Sequence, residues 1–470
     1  MSPLDYPQTL HYLASLSPLG IQPGLARITE LLRRLGHPER RVPAIHIAGT
    51  NGKGSTSAYA ASIAQIAARR ASVDHQRPFR IGLYTSPHLH RLTERIQYSQ
   101  HDALTECPPQ RLADAISTVR SACAQAPQVD LTFFEVLTAA AFFLFAQEQL
   151  DLAIIETGLG GRLDATRLCL AQATVITSIS LDHMDWLGPT VTQIAAEKAG
   201  IFAPEVPALC VCLDAEARQV LVSAAQAVQA PMWLHPPTEM PDIKPLPSLP
   251  SSLQALLPLP GEHQRWNAAL AVAALSHIQG PLRPFLRDLD VISEGLRTTR
   301  WPGRIETIHP VSAHHQRFAD REIVVDAAHN PEGVASLTSW LQSEPERPLT
   351  ILCGVVVGKL TTGMDAPLPH AQRVIACCPP TPRGLAATQL VSEPGFGTAQ
   401  PIEDWQLALQ TALEQTPPGG RLLVYGSIFL MAAVRAALLD EPTDELLVQD
   451  PGKVTTPQAA PPLPVPAARQ

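Results

Sequence analysis

The sequence predicts an α/β protein: a mostly parallel, P-loop-type sheet domain followed by a smaller Rossmann-like α/β domain. Three observations support this prediction. Short β-branched runs alternate with segments of helical periodicity. A glycine-rich turn follows the first of these runs. At 470 residues the chain is also longer than one hydrophobic core usually organises, so two domains are expected.

The predicted strands of the first domain, residues 1–300, are short apolar runs that end at polar or glycine-rich residues, at 44–48, 80–84, 152–156, 174–178 and 208–212. The Pro-, Leu- and Ser-rich stretch 243–260 is interpreted as an extended surface loop before a helix that begins near His263. Helix breakers at 301–303 predict a hinge into a second domain, residues 301–440, with strands at 322–325, 350–354, 373–376 and 421–425. The tail 441–470 is predicted to be disordered.

Composition and charge limit the classes of partner. The formal net charge is -8 with a pI near 6.1, and no dense Lys/Arg stripe occurs, which argues against nucleic acid or an anionic membrane. The longest mainly apolar run, 136–146, is too short to span a bilayer, and the start of the chain lacks a secretory pattern. The eight cysteines have no zinc-type spacing. We therefore expect a cytoplasmic monomer that acts on small molecules.

The clearest chemical signal is the turn between the first predicted strand and a helical pattern, formed by Gly49, Thr50, Asn51, Gly52, Lys53, Gly54, Ser55 and Thr56. Glycines let backbone N–H groups point at phosphate, the helix N-terminus adds positive potential, and the lysine supplies a charge. The hydroxyls follow the lysine one position later than in the usual P-loop pattern. The turn therefore predicts a triphosphate site, with a bland glycine-rich turn as the alternative.

Polar residues at other predicted strand ends extend this site. Glu156 ends an apolar strand, so its carboxylate is expected beside the phosphates, where Mg²⁺ prefers hard oxygen ligands. His183 is interpreted as the end of another strand, although a lone histidine is more often a satisfied polar residue. Thr132 with Glu135 forms a capping-box pattern, as does Thr190 with Gln193.

An ordered set of motifs over about residues 20–435 resembles the folylpolyglutamate synthase and dihydrofolate synthase family. It comprises GTNGKGS at 49–55, YTSPHL at 84–89, ETGLGGRLDAT at 156–166, DH at 182–183, EKAG at 197–200, PGR at 302–304, DAAHNP at 326–331 and GS at 426–427. The resemblance implies an ATP-dependent ligase that joins L-glutamate to dihydropteroate, to (tetrahydro)folate polyglutamates, or to both, through an acyl phosphate. It also implies ATP and two Mg²⁺ ions as cofactors.

The resemblance also implies roles for individual residues. Lys53, His183 and Lys198 would serve catalysis, and Asn267, Arg304 and Asp326 would join the glycine-rich turn in binding ATP. The metal ligands would be Ser86, Glu156, His183 and Lys198, with Lys198 carrying CO₂ as a carbamate. From the residues alone, the alternative is a solvated lysine in the last turn of a helix, where a positive charge suits the helix dipole. The folate-type substrate would be lined by Thr132, Phe133, Phe134, Glu135, Leu163, Asp164 and Ala165.

One segment departs from the family pattern. Family members commonly carry an acidic FG…DKD-like segment after the second strand of the smaller domain, whereas this chain has CGVVVGKL at 353–360, which keeps only the lysine, Lys359. This departure motivates one alternative, a nucleotide-binding pseudoenzyme that has lost glutamate capture. A second alternative is a ligase of the related cell-wall peptide class, whose nucleotide loop the GTNGKGS turn resembles more loosely.

Overall fold

The computed structural model describes residues 2–16, 20–100 and 102–444. Within these residues the chain forms two β-sheets, one of nine strands and one of six, with helices between the strands. The predicted α/β class is confirmed. The tail predicted to be disordered lies outside the described residues from position 445 onward.

The strands of the large sheet are β1 (Pro43–Ala48), β2 (Ile81–Tyr84), β3 (Ile96–Gln100), β4 (Ala103–Glu106), β5 (Leu152–Glu156), β6 (Leu170–Ile176), β7 (Ala208–Val211), β8 (Met232–His235) and β9 (Ile243–Pro245). Those of the small sheet are β10 (Glu306–Ile308), β11 (Glu322–Val325), β12 (Leu349–Cys353), β13 (Arg373–Ala376), β14 (Gln400–Pro401) and β15 (Arg421–Tyr425).

The α-helices that accompany the large sheet are α1 (Tyr6–Leu16), α2 (Ala26–Arg34), α3 (Lys53–His75), α4 (Pro109–Cys123), α5 (Phe133–Gln147), α6 (Met184–Leu187), α7 (Val191–Ala199), α8 (Ala215–Ala227), α9 (Ser251–Gln254), α10 (Gln264–Ser276) and α11 (Leu289–Thr298). The small sheet is accompanied by α12 (Pro331–Ser343), α13 (Ala387–Leu390), α14 (Trp405–Gln415) and α15 (Ile428–Leu439). No helix in the described part of the chain is both long and apolar enough to cross a membrane.

The order of the large sheet places its distinctive residues at one edge. The order is β4-β3-β2-β5-β1-β6-β7-β8-β9, so β1 lies between β5 and β6 and is parallel to both. β2 is parallel to β5, whereas β3 is antiparallel to both of its neighbours, β2 and β4. Because β2 follows β1 in the chain but is not its neighbour, the carboxyl ends of β1, β2, β5 and β6 border a crevice of the kind that binds ligands in α/β sheets.

Alternation along the central strand separates two cores. Ile45 and Ile47 pack into a core with α3, α10 and α11, whereas Ala44 packs on the opposite face with α1, α2, α4 and α5. Successive side chains of a strand point to opposite faces, so β1 is buried on both sides. This double burial fixes the position of the turn that follows Ala48.

The small sheet has the order β10-β11-β15-β12-β13-β14, and all its strands are parallel except β10. The chain passes to it from the large sheet between the end of α11 at Thr298 and the start of β10 at Glu306. The turn after β11 therefore lies at the carboxyl edge of this sheet, where the predicted DAAHNP motif begins.

Two local predictions about the fold are wrong. The stretch 243–260 is not a surface loop, because it contains β9 and α9 and buries Leu246, Leu249, Leu253 and Leu259 in the core formed with α3 and α10. The strand predicted at 174–178 is β6, which begins earlier and ends at Ile176.

Candidate active site

The glycine-rich turn lies between β1 and α3, as predicted. Gly52 precedes the helix with φ of +83°, a conformation that suits glycine, and a Cβ there would lie 2.4 Å from Oδ1 of Asn267. Gly54 is equally constrained, since a Cβ there would lie 2.7 Å from the indole nitrogen of Trp301. The close approach of α10 and of the connection to the small sheet therefore requires glycine at both positions.

Two lysine side chains converge on the first carbonyl of this turn. Nζ of Lys53 donates hydrogen bonds to the carbonyl oxygens of Gly49 (3.2 Å) and Thr50 (3.1 Å). Nζ of Lys198, near the end of α7, donates to the same Gly49 oxygen at 2.7 Å. Burial, and then the charge of Lys53, lower the pKa of Lys198 to about 7. The two lysines therefore place positive charge at the turn. The amine of Lys198 readily becomes neutral, because its pKa lies near 7.

A buried carboxylate at the end of the neighbouring strand lies close enough to Lys53 to interact with its charge. Glu156 ends β5, is 4% exposed, and accepts a hydrogen bond from the backbone N–H of Ser86 at 3.3 Å. Burial raises its pKa to about 7, although the charge of Lys53 opposes this. Ser86 follows β2, so the structure brings the predicted Glu156, Ser86 and Lys53 together at the ends of different elements.

His183 lies elsewhere than predicted. It is not at a strand end, because β6 stops at Ile176, and it instead precedes the short helix α6 with φ of +50°. Its Nε2 lies 3.4 Å from Nζ of Lys359, and Lys359 also forms an ion pair with Asp182. Nε2 of His329 lies 3.7 Å from Asp182, so both sheets contribute to this cluster.

The charges of the cluster explain the titration of its carboxylate. Although burial alone would raise the pKa of Asp182, this pKa is lowered by the hydrogen bond from His329 and by the neighbouring side chains of His183 and Lys359. Burial lowers the pKa of Lys359, and Asp182 opposes this. Asp182 therefore stays ionised and holds Lys359, the lysine of the segment that departs from the family pattern, beside His183.

The predicted nucleotide residues of the small sheet lie at its carboxyl edge. Asp326 follows β11, and its carboxylate accepts hydrogen bonds from the N–H groups of Ile305 (2.8 Å) and Ala328 (2.7 Å). Burial raises its pKa, against the charge of Arg304. The charge of Arg304 also opposes the raised pKa of Glu156, so Arg304 lies close enough to the large sheet to act on that carboxylate. Asn267 contacts the turn itself, at Gly52.

The two predicted substrate segments are adjacent. Thr132 caps α5 in the predicted capping box, with reciprocal bonds to Glu135, and Glu135 forms an ion pair with Arg27 at 3.1 Å. Phe133 is buried beneath the guanidinium of Arg95, and Phe134 packs so closely on Gly158 that a Cβ there would lie 2.4 Å from its ring.

Asp164 shapes the loop that Phe134 touches. Its buried carboxylate accepts hydrogen bonds from the N–H groups of Gly158 (3.0 Å), Leu159 (2.8 Å) and Thr166 (3.0 Å). Because its oxygens are engaged within the loop, Asp164 fixes the loop's shape. Its neighbour Ala165 is buried, and Leu163 is half-buried.

Several contacting residues were missed from the sequence. At the start of α12, the side chains of Asn330 and Glu332 form hydrogen bonds with Asn51 in the glycine-rich turn. The carboxylate of Glu332 also accepts hydrogen bonds from Ser178 and Ser180, which follow β6. No short-range signal singles out Glu332 or the serines, since their partners lie more than 125 positions away in the chain.

The donor set suits a magnesium site that is completed by a substrate. In the described ranges, no three His, Cys, Asp or Glu side chains group as a self-contained metal site. Mg²⁺ in nucleotide enzymes commonly uses one or two carboxylates together with phosphate oxygens. The buried Glu156 carboxylate beside the Ser86 segment fits that pattern.

Comparisons with known proteins agree with the geometry. Residues 303–428 match the family model described as Mur ligase, glutamate ligase domain. The folylpolyglutamate synthase of Lacticaseibacillus casei is 30% identical, with 93% of this chain and 99% of that protein covered.

Two solved structures have the same fold over nearly the whole chain. The Mycobacterium tuberculosis folylpolyglutamate synthase complexed with ADP has a TM-score of 0.75 at 27% identity, covering 93% of this chain and 100% of that one. The bifunctional folylpolyglutamate synthase/dihydrofolate synthase of Yersinia pestis, complexed with AMPPNP and Mn, has a TM-score of 0.73 at 28% identity, covering 93% and 98%.

Proposed function

Because the chain belongs to the folylpolyglutamate synthase and dihydrofolate synthase family, we propose that it is an ATP-dependent ligase that joins L-glutamate to dihydropteroate, to a (tetrahydro)folate, or to both. One observation carries the proposal. The glycine-rich turn with Lys53, the carboxylate of Glu156 and the amine of Lys198 meet at one edge of the large sheet. Phosphoryl transfer to a carboxylic acid requires such groups, because they bind the triphosphate and its metal ions.

The chemistry follows from the poor reactivity of a carboxylate. An amine does not displace its oxygen at a useful rate, because that oxygen is too basic to leave. Transfer of the γ-phosphoryl group of ATP to the acid gives an acyl phosphate. The glutamate amine then attacks the carbonyl carbon, the C–O bond to phosphate breaks, and phosphate leaves with the electron pair. Lys53 stabilises the charge on the transferring group, and the turn holds the triphosphate in line with the acid.

Glu156 and the Ser86 hydroxyl would hold one Mg²⁺, and His183 with Lys198 would hold a second. These ions would neutralise phosphate charge during transfer. Burial raises the pKa of Glu156 to about 7, and a cation bound beside the carboxylate would favour its ionised form.

Lys198 is suited to carry the carbamate. A neutral amine adds to CO₂ and loses a proton, which converts a cation into an anionic oxygen ligand. The pKa of about 7 supplies the neutral amine, and Lys53 provides an adjacent positive charge to pair with the product. Carbon-13 NMR of the native enzyme in ¹³CO₂ is expected to show one carbamate signal that is lost in Lys198→Arg. Wild-type activity in CO₂-free buffer, with no such signal, would contradict the assignment.

The organic acid would lie against the segment Thr132–Glu135 and the loop that contains Leu163, Asp164 and Ala165. Phe134 joins these two segments, and the buried bonds of Asp164 keep the loop in one shape. A rigid apolar wall with few polar groups is the usual form of a site for a flat aromatic ligand.

The direct test is ADP release measured with ATP, Mg²⁺ and glutamate, plus either dihydropteroate or a tetrahydrofolate. We expect release that requires both glutamate and one of the acids, and which acid supports it will define the enzyme as monofunctional or bifunctional. Lys53→Ala is expected to lose most of the activity while keeping its fold. The surface variant Lys244→Ala, which removes a lysine far along the sheet, serves as the matched control.

The same assay separates the alternatives. ADP release that depends on a cell-wall nucleotide peptide instead of the pteridine acids would identify the related peptide-ligase class. ATP binding without any glutamate-dependent turnover would identify a pseudoenzyme. The placement of Lys359 beside His183 argues against that second alternative, because the altered segment still delivers a lysine to the crevice.

A further inference from the structure

A single carboxylate of the small domain holds three donors of the large domain. Glu332 lies in the first turn of α12, and its Oε2 accepts hydrogen bonds from Nδ2 of Asn51 (2.6 Å), Oγ of Ser180 (2.7 Å) and Oγ of Ser178 (3.1 Å). Hydrogen bonds to an ionised acceptor are about twice as strong as neutral ones. Glu332 therefore forms a concentrated contact between the two domains.

Asn330, which lies two positions before Glu332, also contacts Asn51 in the turn. Asn330, which is 3% exposed, exchanges two amide hydrogen bonds with Asn51, at 2.9 and 3.1 Å. Asn330 also caps α12 through its bond from the N–H of Gly333. The start of α12 is thus attached directly to the glycine-rich turn by side chains from both domains.

The contact reaches the backbone of the turn. The N–H of Asn51 donates to Oγ of Ser178 at 3.0 Å, and the same hydroxyl lies 3.1 Å from Glu332. Oγ1 of Thr50 accepts from the N–H of Ser180 at 3.1 Å. Any movement of α12 away from the large sheet would therefore remove contacts that hold the turn in shape.

We propose that Glu332 is a positioning residue, an interdomain latch that keeps Arg304 and Asp326 of the small domain opposite the glycine-rich turn before ATP binds. The proposal rests on the assignment of that turn to ATP. When a site is assembled in only a fraction of molecules, the apparent dissociation constant rises by the inverse of that fraction. Removing the latch lowers the assembled fraction, although it deletes none of the side chains assigned to ATP.

The test measures ATP affinity and turnover separately. For Glu332→Ala we expect the Kd for a non-hydrolysable ATP analogue, and the KM for ATP, to rise by ~10-fold, with kcat at saturating ATP within about twofold of wild type. Small-angle scattering of the ATP-free variant is expected to give a larger radius of gyration than wild type. Ser180→Ala, on the opposite side of the latch, is expected to change affinity in the same direction. The double variant is expected to add little beyond Glu332→Ala, because both act through one contact.

The control is Glu414→Gln, which removes a carboxylate that is 56% exposed on the small domain and pairs there with Arg317; it is expected to leave Kd, KM and kcat unchanged. Unchanged or tighter ATP binding in Glu332→Ala would overturn the latch, as would fully additive effects of the two substitutions. Failure of the underlying ATP assignment has a different signature, since wild type would not bind the analogue or Lys53→Ala would bind it normally.

Discussion

The buried carboxylate of Glu156 is expected to destabilise the folded protein when it is ionised, although the proposed function requires it. Its pKa is about 7 in the folded chain, whereas the ordinary pKa of a glutamate is 4.5. Since each tenfold change in a protonation equilibrium is worth about 1.4 kcal/mol, the ionised folded state is disfavoured by about 3 kcal/mol at pH 8. Glu156→Gln removes that charge and keeps an acceptor for the Ser86 N–H.

The direction of the pKa shift determines whether the stability of the folded protein rises or falls with pH. A group whose folded pKa is raised contributes stability that is fully present below its unfolded pKa and is lost as pH rises through the folded pKa. Between about pH 4.5 and 7 the wild-type protein therefore loses stability through Glu156, whereas Glu156→Gln does not. The variant should exceed wild type most at pH 8 and by less than about 1 kcal/mol at pH 5.

The assay is urea unfolding in EDTA at pH 5 and pH 8, so that no divalent cation compensates the carboxylate. Glu262→Gln serves as the control, because that side chain is 83% exposed and its loss should change stability by less than about 0.5 kcal/mol. In the presence of Mg²⁺, Glu156→Gln should also lose most ligase activity. If the metal-free variant is no more stable than wild type at pH 8, the buried and charged state assigned to Glu156 is wrong.

Three further substitutions test other parts of the site. Gly52→Ala places a Cβ 2.4 Å from Asn267 at φ of +83°, so we expect destabilisation by about 1–3 kcal/mol and loss of ATP binding, measured by thermal unfolding and calorimetry; normal ATP affinity would contradict this. Arg27→Ala breaks the ion pair with Glu135 beside the proposed acid site, so KM for the pteridine acid should rise by ~10-fold while KM for ATP stays constant; the reverse pattern would move the acid elsewhere. Lys359→Met should raise KM for glutamate by at least ~10-fold, and an unchanged value would show that the altered segment does not meet the amino acid.

The parts of the fold and site that were predictable are those encoded over a few residues. The turn from Gly49 to Thr56, the carboxylate at the end of β5 and the capping box at Thr132 each depend on local backbone chemistry, and the structure has all three. Parallel strands place their carboxyl ends at one edge, so the meeting of the turn with Glu156 followed from the fold class.

The remainder depends on pairings that periodicity does not record. Lys359 meets Asp182 across 177 positions, and Glu332 meets Asn51 across 281, so no local pattern indicates either contact. The leucines of 243–260 were misassigned for a related reason. Their burial is set by α3 and α10, which pack on them from distant parts of the chain, whereas the prolines between them suggest a loop.

In the proposed function, this site activates a carboxylic acid by phosphorylating it with ATP. The most direct measurement uses the pteridine acid with both carboxylate oxygens labelled with ¹⁸O, followed by mass analysis of the released phosphate in the presence of glutamate. An acyl phosphate intermediate requires one ¹⁸O in each phosphate formed and one in the amide product. Unlabelled phosphate accompanying amide formation would contradict it.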